Sequence, residues 1–352
     1  MSLRDAGGTL LDTLIEIVDI PSVTGDEESL CSWLEERYVN QYPTHRIGKS
    51  LIVGARPRAA AFAVLYGHTD TVPIQGEWRA RVEGDRLVGL GASDMKAGVA
   101  VMIELLDRHV AEGDLVCVFY DEEEGPAANN GLEAVLDAAT WLTEAEISIV
   151  LEPTNLDLEL GCNGALNANV IFRGSTAHSA RPWLGENAIT KAGEWLASMH
   201  AREPEIVDIG GLEYREVFSV TKAAGGIANN IIPGEFVVNL NHRFPPVYTI
   251  EEAEERLRNV TRAADEVIIT DRAPSGGIDL DSPAVQRLDA LIGRGRIAKQ
   301  GWTDVARLTS RGAVAVNYGP GEVAQAHQVN ESVPTANMDI VYSVLMEFLT
   351  DF

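Results

Sequence analysis

Two histidines and six acidic residues stand out in this sequence, because most of them directly follow short apolar runs. They are His68, Asp70, Asp94, Glu122, Glu123, Glu124, Glu152 and His327. Imidazole nitrogen together with carboxylate oxygen, and without thiolate, suits zinc or a similar divalent ion. Carboxylates that converge without a counter-charge raise one another's pKa and cost stability, so a cation would relieve such a cluster. The residue types therefore indicate a metal site.

Taken one at a time, these patterns have ordinary explanations. A His-x-Asp sequence such as His68 to Asp70 is more often a simple hydrogen-bonded pair at the end of a strand. Three consecutive glutamates are usually a solvated turn, and Glu152 before Pro153 is an equally weak signal by itself. Their joint occurrence, in order, after successive apolar runs is what favours a common site.

The segments around these residues alternate between predicted strands and predicted helices. The apolar runs at 62–66, 115–120 and 147–151 predict strands, and the segments 95–108 and 132–139 predict helices between them. This alternation predicts an α/β domain with a mixed, mostly parallel sheet flanked by helices. In such sheets ligands bind outside the carboxyl ends of the strands, which is where the histidines and carboxylates would converge.

The pattern changes near Ala165 and returns to α/β after a Pro-Ser-Gly-Gly linker at 274–277. Between these points half-exposed strands and two helices follow the order of an α+β sandwich. We therefore predict a catalytic domain formed by residues 1–164 and 279–352, with an inserted domain at 165–278.

Two local signals lie nearer the N-terminus. Thr24 and Glu27 have the spacing of a capping box, which predicts a helix that continues through Tyr38. Gly48-Lys49-Ser50 resembles the end of a phosphate-binding loop, but Pro43 stands where the earlier glycine is required.

Composition narrows the class of protein. Fifty-three acidic residues against 28 basic ones give a formal net charge of −25, which excludes a nucleic-acid-binding protein at the level of the whole chain. The longest apolar stretch, 98–106, is interrupted by Glu104 and is too short to span a membrane. The three cysteines (Cys31, Cys117 and Cys162) form no metal-binding or disulfide pattern, and the first twenty residues lack a secretory signal. These features predict a cytoplasmic protein.

Several motifs together resemble the di-zinc amidohydrolases, a family of deacylases, aminoacylases and carboxypeptidases. They are Gly67-His68-Thr69-Asp70-Thr71-Val72-Pro73, Gly91-Ala92-Ser93-Asp94-Met95-Lys96-Ala97-Gly98, the glutamate triplet, Leu151-Glu152-Pro153-Thr154 and Ala326-His327. The resemblance runs from Ile20 to the C-terminal helix. It implies a zinc aminopeptidase-like catalytic domain, with the inserted α+β domain acting as a lid and forming a homodimer interface.

The resemblance also implies the metal ligands. One zinc ion would be held by His68, Asp94 and Glu152. The second would be held by Asp94, His327 and one glutamate of the triplet, so the Asp94 carboxylate would bridge the two ions. Asp70 would accept the second ring N–H of His68 and thereby support catalysis. Two Zn²⁺ per subunit are expected, Co²⁺ could substitute, and the peptide bond that follows Asp94 is expected to be cis.

The glutamate triplet leaves the register open, because the family has two glutamates where this chain has three. Counting from Phe119, and back from Asn130-Gly131, places the pair on Glu123 and Glu124. We take Glu123 as the general base and Glu124 as the metal ligand, with the register one residue earlier as the alternative. Glu123 would then remove a proton from a water molecule activated by the two metals and return it to the leaving amine.

Residues of the inserted domain would complete the site. By the same resemblance His178, donated by the partner subunit, would stabilise the tetrahedral oxyanion. Arg243 matches the family's substrate-binding arginine, and Asn229-Asn230 matches its asparagine motif.

Three further segments resemble the desuccinylase branch of the family as found in actinobacteria. They are 152–154 with 161–164, 178–188 and 301–304. They imply that the substrate is an N-acyl amino acid, N-succinyl-LL-2,6-diaminopimelate. An acetylornithine-type deacylase, a general aminoacylase or a carboxypeptidase is the alternative. A non-catalytic descendant that binds a metabolite or peptide would have lost metal ligands, and all five positions are filled here.

Overall fold

The computed structural model describes residues 9–58, 61–108 and 115–350. The chain divides into two compact units. The first unit contains the described residues of Met1–Gly161, Gly277–Ile297 and Thr303–Phe352, and the second contains Cys162–Gly276 and Ala298–Trp302. The short segment 298–302 was not part of the inserted domain predicted from the sequence. The predicted outer ends of the catalytic domain, residues 1 and 352, lie outside the described residues.

Both units contain helices as well as strands. In chain order the helices are α1 (Leu10–Val18), α2 (Glu28–Tyr38), α3 (Ala97–Asp107), α4 (Leu132–Ala138), α5 (Ala188–Lys191), α6 (Gly193–His200), α7 (Ile250–Val260), α8 (Pro283–Ile292), α9 (Val305–Ser310) and α10 (Thr335–Leu349). The strands are β1 (Thr44–Ile47), β2 (Ser50–Val53), β3 (Ala63–His68), β4 (Arg81–Glu83), β5 (Arg86–Val88), β6 (Leu115–Tyr120), β7 (Ile147–Val150), β8 (Leu158–Leu160), β9 (Gly164–Arg173), β10 (Ala177–His178), β11 (Glu205–Ile209), β12 (Leu212–Gly225), β13 (Ile231–Ile232), β14 (Glu235–Phe244), β15 (Glu266–Ala273), β16 (Arg296–Ala298), β17 (Ala315–Asn317) and β18 (Ser332–Pro334).

The first unit is built on an eight-stranded mixed sheet with the order β1-β2-β6-β3-β7-β17-β8-β16. Its central strands β6, β3, β7 and β17 are parallel, whereas β1, β2 and β8 pair antiparallel with their neighbours. Parallel strands need crossover connections, and helices supply them here. The predicted mixed, largely parallel sheet flanked by helices is confirmed.

Both faces of this sheet are covered, as the continuous burial of its central strands requires. Val64 and Tyr66 of β3 belong to a core cluster that includes Leu132 of α4 and Leu308 of α9. Gly67, next along the strand, faces Val99 and Met102 of α3 instead. Successive strand residues point to opposite faces, so α3 packs on the other side of the sheet from α4.

The capping box predicted at Thr24 and Glu27 is wrong, although helix α2 forms and extends to Tyr38. Glu27 is the N-cap residue, and the helix has no side-chain cap. The Thr24 hydroxyl donates to a carboxylate oxygen of Asp70 at 2.9 Å instead. A tertiary hydrogen bond therefore takes the place of the local one.

The second unit is an α+β layer structure. Its main sheet has five strands in the order β11-β12-β14-β9-β15, and all of its pairs are antiparallel. Helices α5, α6 and α7 share a core cluster with one face of this sheet, through residues such as Trp195, Leu257 and Phe172. The opposite face carries polar side chains, among them Asn241 and Arg243. Strand β10 pairs separately with β13.

A helix can cross a bilayer only if it is both long and apolar. Within the described ranges, none of the helices combines the two properties to the required degree.

Candidate metal centre

Three neighbouring parallel strands bring the predicted site residues to one edge of the first unit's sheet. Strand β3 lies between β6 and β7 and is parallel to both. His68 is the last residue of β3, the glutamate triplet follows β6, and Glu152 follows β7. Because parallel strands end at the same edge, side chains that are distant in sequence become neighbours in space.

Two glycines allow close packing around the backbone that carries Glu152. A Cβ atom at Gly98 would lie 2.4 Å from the carbonyl oxygen of Leu151. A Cβ atom at Gly319 would lie 2.4 Å from the carbonyl oxygens of both Leu151 and Glu152. Neither position tolerates a side chain without a shift of backbone, so the close packing around the backbone of Leu151 and Glu152 requires these two glycines.

His68, Asp94 and Glu152 form the first group of converging donor atoms. The Nε2 atom of His68 lies 3.3 Å from Oδ1 of Asp94 and 3.8 Å from Oε1 of Glu152. His68 is 1% exposed and Glu152 is 5% exposed, so the group is shielded from solvent.

Asp94, Glu124 and His327 form the second group. The Nε2 atom of His327 lies 2.8 Å from Oε1 of Glu124 and 3.6 Å from Oδ2 of Asp94. His327 is exposed and adopts a positive φ of 63° in the loop after β17. Asp94 lies in the turn before α3, and the Asp94–Met95 peptide bond is cis, as the resemblance implies.

Asp94 belongs to both groups and turns a different carboxylate oxygen toward each histidine. In each group the candidate ligand atoms all lie within 4.8 Å of one another. The donors are imidazole nitrogen and carboxylate oxygen, with one carboxylate positioned to bridge. This arrangement fits a pair of divalent ions that share Asp94.

The electrostatics of both histidines show that the groups attract positive charge. Burial by itself lowers the pKa of His68, but hydrogen bonds to Asp70 and Asp94 outweigh burial and raise the pKa well above its usual range. The hydrogen bond to Glu124 raises the pKa of His327 to about 9. Protons and metal ions would thus compete for the same nitrogen atoms.

Asp70 connects His68 to the glutamate triplet. The Nδ1 atom of His68 lies 3.1 Å from the Asp70 carbonyl oxygen and 3.4 Å from its carboxylate Oδ1. The same carboxylate accepts the backbone N–H groups of Glu123 and Glu124, each at 3.0 Å. Asp70 therefore orients a candidate ligand and also anchors the backbone that carries the candidate base.

Glu123 is half-buried, and charged side chains nearby influence its pKa. Burial raises the pKa of Glu123 well above its usual range, and the negative charges of Glu152 and Asp304 add to the rise, whereas His68 opposes it. A raised pKa increases the affinity of this carboxylate for a proton, which suits a general base.

Glu122 faces a different set of partners, which the sequence did not reveal. Its Oε1 accepts a hydrogen bond from the Lys49 ammonium at 3.2 Å, and Lys49 also pairs with the buried Glu27 and lies 3.9 Å from Asp121. Glu27, Asp121 and Glu122 form a third cluster of potential ligand atoms, and the Lys49 ammonium is the cation among them. Lys49 follows Gly48 in the β1–β2 hairpin rather than in a phosphate-binding loop.

The remaining predicted residues lie in the second unit. His178 is exposed at the end of β10, and its Nδ1 accepts the backbone N–H of Ala180 at 3.0 Å. Asn229 and Asn230 form the turn before β13, where the carbonyl oxygen of Asn230 accepts the N–H of Ser179. The pairing of β10 with β13 therefore brings the asparagine motif beside His178.

Arg243 occupies a separate place on β14. It is half-buried, and burial lowers its pKa. Its Nε donates to Oδ1 of Asn241 at 3.2 Å.

Comparisons with known proteins show which family the chain resembles. The model of peptidase family M20/M25/M40 matches residues 64–351. A protein of Mycobacterium tuberculosis, provisionally named a succinyl-diaminopimelate desuccinylase, is 37% identical over 99% of this chain and 99% of its own length. The succinyl-diaminopimelate desuccinylase of Corynebacterium glutamicum is 32% identical over 95% of this chain and 94% of its own.

Solved structures share the fold at lower identity. A tripeptidase from Staphylococcus aureus has a TM-score of 0.79 at 21% identity, and the match covers 97% of each chain. A metallo-carboxypeptidase of the M20 family from Sulfolobus solfataricus has a TM-score of 0.74 at 17% identity, covering 98% of this chain and 99% of that one. At these identities the solved structures show only that the fold is shared. The family model, in contrast, matches most of the sequence. The chain therefore belongs to peptidase family M20/M25/M40.

Proposed function

We propose that this chain removes the succinyl group from N-succinyl-LL-2,6-diaminopimelate. The products would be succinate and LL-diaminopimelate, a precursor of lysine and of the cell wall. The observation that carries the proposal is Asp94, whose two carboxylate oxygens face two separate groups of ligand atoms. The desuccinylase names of relatives that match almost the full length of the chain support the substrate.

Two zinc ions would occupy the two groups, and Co²⁺ could replace them. His68 and Glu152 would hold one ion, Glu124 and His327 the other, and Asp94 both. When bound, the ions would polarise the scissile carbonyl and lower the pKa of a water molecule toward neutrality.

Glu123 would move the proton in this reaction. Its carboxylate would take a proton from the attacking water and deliver it to the nitrogen of the departing amine, so that the proton count balances. The neighbouring contacts support this register, because Glu124 contacts His327 and Glu122 is engaged by Lys49. Asp70 would position the base through the backbone of Glu123.

His178 would stabilise the oxyanion in the active site of a partner subunit, with the second unit serving as lid and dimer interface. Its local hydrogen bond supports the role of donor. Because Nδ1 accepts the Ala180 N–H, the neutral imidazole carries its hydrogen on Nε2. That N–H could donate to a developing negative charge.

Arg243, Asn229 and Asn230 would bind the polar groups of the substrate. N-succinyl-LL-2,6-diaminopimelate carries three carboxylates and one ammonium, and a chain with a net charge of −25 must offer cations locally to bind it. A half-buried guanidinium such as that of Arg243 suits a carboxylate, because it can donate two parallel hydrogen bonds.

A substrate panel tests this function most simply. Purified protein supplied with Zn²⁺ should hydrolyse N-succinyl-LL-2,6-diaminopimelate with a much higher kcat/KM than N-acetylornithine or N-acetyl amino acids. Preference for N-acetylornithine or for acetylated amino acids would instead assign the chain to the deacylase or aminoacylase members of the family. Absence of hydrolysis of every compound, with two metals bound, would contradict an amidohydrolase of this class.

A further inference from the structure

Glu331 is a buried carboxylate that the roles proposed above do not use. It is 2% exposed and lies four positions after His327, just before β18. Its Oε2 accepts the backbone N–H of Gly91 at 2.8 Å, and its Oε1 accepts the N–H groups of Ser93 and Asp94, each at 2.7 Å. One side chain thus collects three backbone hydrogen bonds from the turn that carries Asp94.

A buried carboxylate at this place costs folding free energy unless hydrogen bonds compensate for the water that it loses. Removing a charge from water carries a large desolvation penalty, and the nearby Asp94 carboxylate adds repulsion. Charge-assisted hydrogen bonds from three N–H groups offset that cost. A neutral glutamine offers one acceptor oxygen and one donor group, so it could not accept from both sides of the turn. Because both oxygens of Glu331 accept hydrogen bonds from the turn, the ionised side chain is suited to hold this turn in one position.

Glu331 also joins two segments that carry ligand atoms. The Glu331 carbonyl oxygen accepts the N–H of Gly89, and its N–H donates to the carbonyl oxygen of Gln328, next to His327. A second link runs between Ser93 and Glu322, in which each residue donates one hydrogen bond to the other. The Asp94 turn and the His327 loop are therefore held together, and Glu331 makes the larger number of these bonds.

We propose that Glu331 is the positioning residue of the metal centre, which sets the Asp94 carboxylate between the two groups of ligands. The inference rests on the proposed metal assignment. Glu331 acts through the backbone of Asp94 and of the adjacent turn, and it contacts neither the substrate nor the ions. Outer-shell partners of metal ligands commonly contribute about 10- to 100-fold to metal affinity.

The test compares metal binding by the wild-type chain, Glu331→Gln and a matched control, Glu216→Gln. Glu216 is also 2% exposed and hydrogen-bonded, but its partners are Arg256 and His242 in the second unit. Zn²⁺ affinities are measured by competition with a chelator at fixed pH, and unfolding temperatures are recorded on the metal-free proteins. We expect Glu331→Gln to lower both Zn²⁺ affinities by about 10- to 100-fold, since Asp94 belongs to both groups. Glu216→Gln should lower the unfolding temperature alone.

Amide hydrogen exchange gives a readout that needs no metal. In the metal-free protein the backbone N–H groups of the segment 89–96 should exchange faster in Glu331→Gln than in the wild type or in Glu216→Gln. If Glu331→Gln does not fold, Glu331→Asp, which keeps both oxygens but withdraws them by one methylene, is measured in the same way.

The outcomes separate this inference from the proposed function. Wild-type protein that binds two ions, with both affinities in Glu331→Gln within about threefold of wild type, would overturn the positioning role and leave the metal centre standing. Wild-type protein that binds no stoichiometric metal would overturn the proposed function itself, and the positioning role with it.

Discussion

The carboxylate of Asp70 accepts the backbone N–H of Glu123 at 3.0 Å, so the candidate base is anchored by a residue that also orients His68. The adjacent N–H of Glu124 donates to the other oxygen of the same carboxylate. One side chain therefore holds the backbone of Glu123 and Glu124 beside His68, a member of the first group of candidate ligands. Predictions about the triplet depend on this contact.

Substitution of the glutamates should separate catalysis from metal binding. Glu123→Gln should lower kcat by about 10²–10⁴-fold, the usual contribution of a general base, with both metals retained. Glu124→Ala should lose the metal of the group that contains His327, because it removes an oxygen donor. Steady-state kinetics and elemental analysis of each variant provide the measurements.

Glu122→Gln is the matched control for this series. Its side chain pairs with Lys49 rather than with His327, so kcat should change little and both metals should remain. If Glu122→Gln behaves as the catalytic knockout while Glu123→Gln stays active, the register is one residue earlier than proposed.

The proposed donation of His178 across a dimer predicts complementation between two inactive variants. In a two-fold dimer each subunit gives and receives the same contact. Mixed dimers of His178→Ala and Glu123→Gln would contain one site with both an intact Glu123 and a donated His178, so part of the activity should return on mixing. The specific activity of the mixture is measured after subunit exchange has been verified. Complete lack of recovery, or full activity of the wild type at dilutions where it is monomeric, would contradict the shared site.

Arg243→Ala should weaken substrate binding more than it slows turnover. Hydrogen bonds to charged groups contribute about 1.5–3 kcal/mol, which corresponds to a rise of about 10- to 100-fold in KM when the guanidinium is lost. Arg272→Ala is the control, because Arg272 lies in the same sheet but pairs with Glu254 on the surface. Equal values of KM for Arg243→Ala and the wild type would show that Arg243 does not bind the substrate.

The buried Glu216 should make stability depend on pH in acid. Burial alone raises its pKa, but hydrogen bonds from Arg256 and His242 outweigh burial and lower the pKa from 4.5 to about 2. A pKa that is lower in the folded state contributes stability above pH 4.5, and this contribution is lost as the pH falls from 4.5 toward 2. The shift corresponds to a contribution of about 3 kcal/mol to the free energy of unfolding at neutral pH. This is on the order of the cost of removing one partner of the ion pair between Glu216 and Arg256.

Denaturant unfolding of the wild type and Glu216→Gln between pH 2 and pH 7 checks this expectation. The difference in unfolding free energy should be largest near neutral pH and should shrink toward zero near pH 2. A difference that stays constant across this range would show that the ionised form of Glu216 is not what stabilises the second unit.

The sequence predicted the parts of the site that depend on local pattern. His68, the glutamate triplet and Glu152 each follow an apolar run, and alternation of strands with helices is enough to place such residues at one edge of a sheet. Asp94 and His327 also stand out in the sequence, but they lie outside the strands, and the family resemblance alone implied which of the two metals each would hold.

The sequence pattern could not predict contacts between segments that are distant along the chain. Glu331 carries no local signal, because its three partners lie about 240 positions earlier and are backbone N–H groups with no side-chain identity. The ion pair between Lys49 and Glu27 was missed for the same reason. Thr24 was misassigned since a hydroxyl with capping spacing is also free to make a tertiary hydrogen bond, here to Asp70.

Metal dependence tests the central claim most directly. The protein is freed of metal with a chelator, the loss is verified by elemental analysis, and hydrolysis of N-succinyl-LL-2,6-diaminopimelate is followed while Zn²⁺ is added back in steps. We predict no activity without metal and recovery that is complete at two equivalents of Zn²⁺ per chain, with no recovery in Asp94→Ala. Full activity in verified metal-free protein would contradict the account.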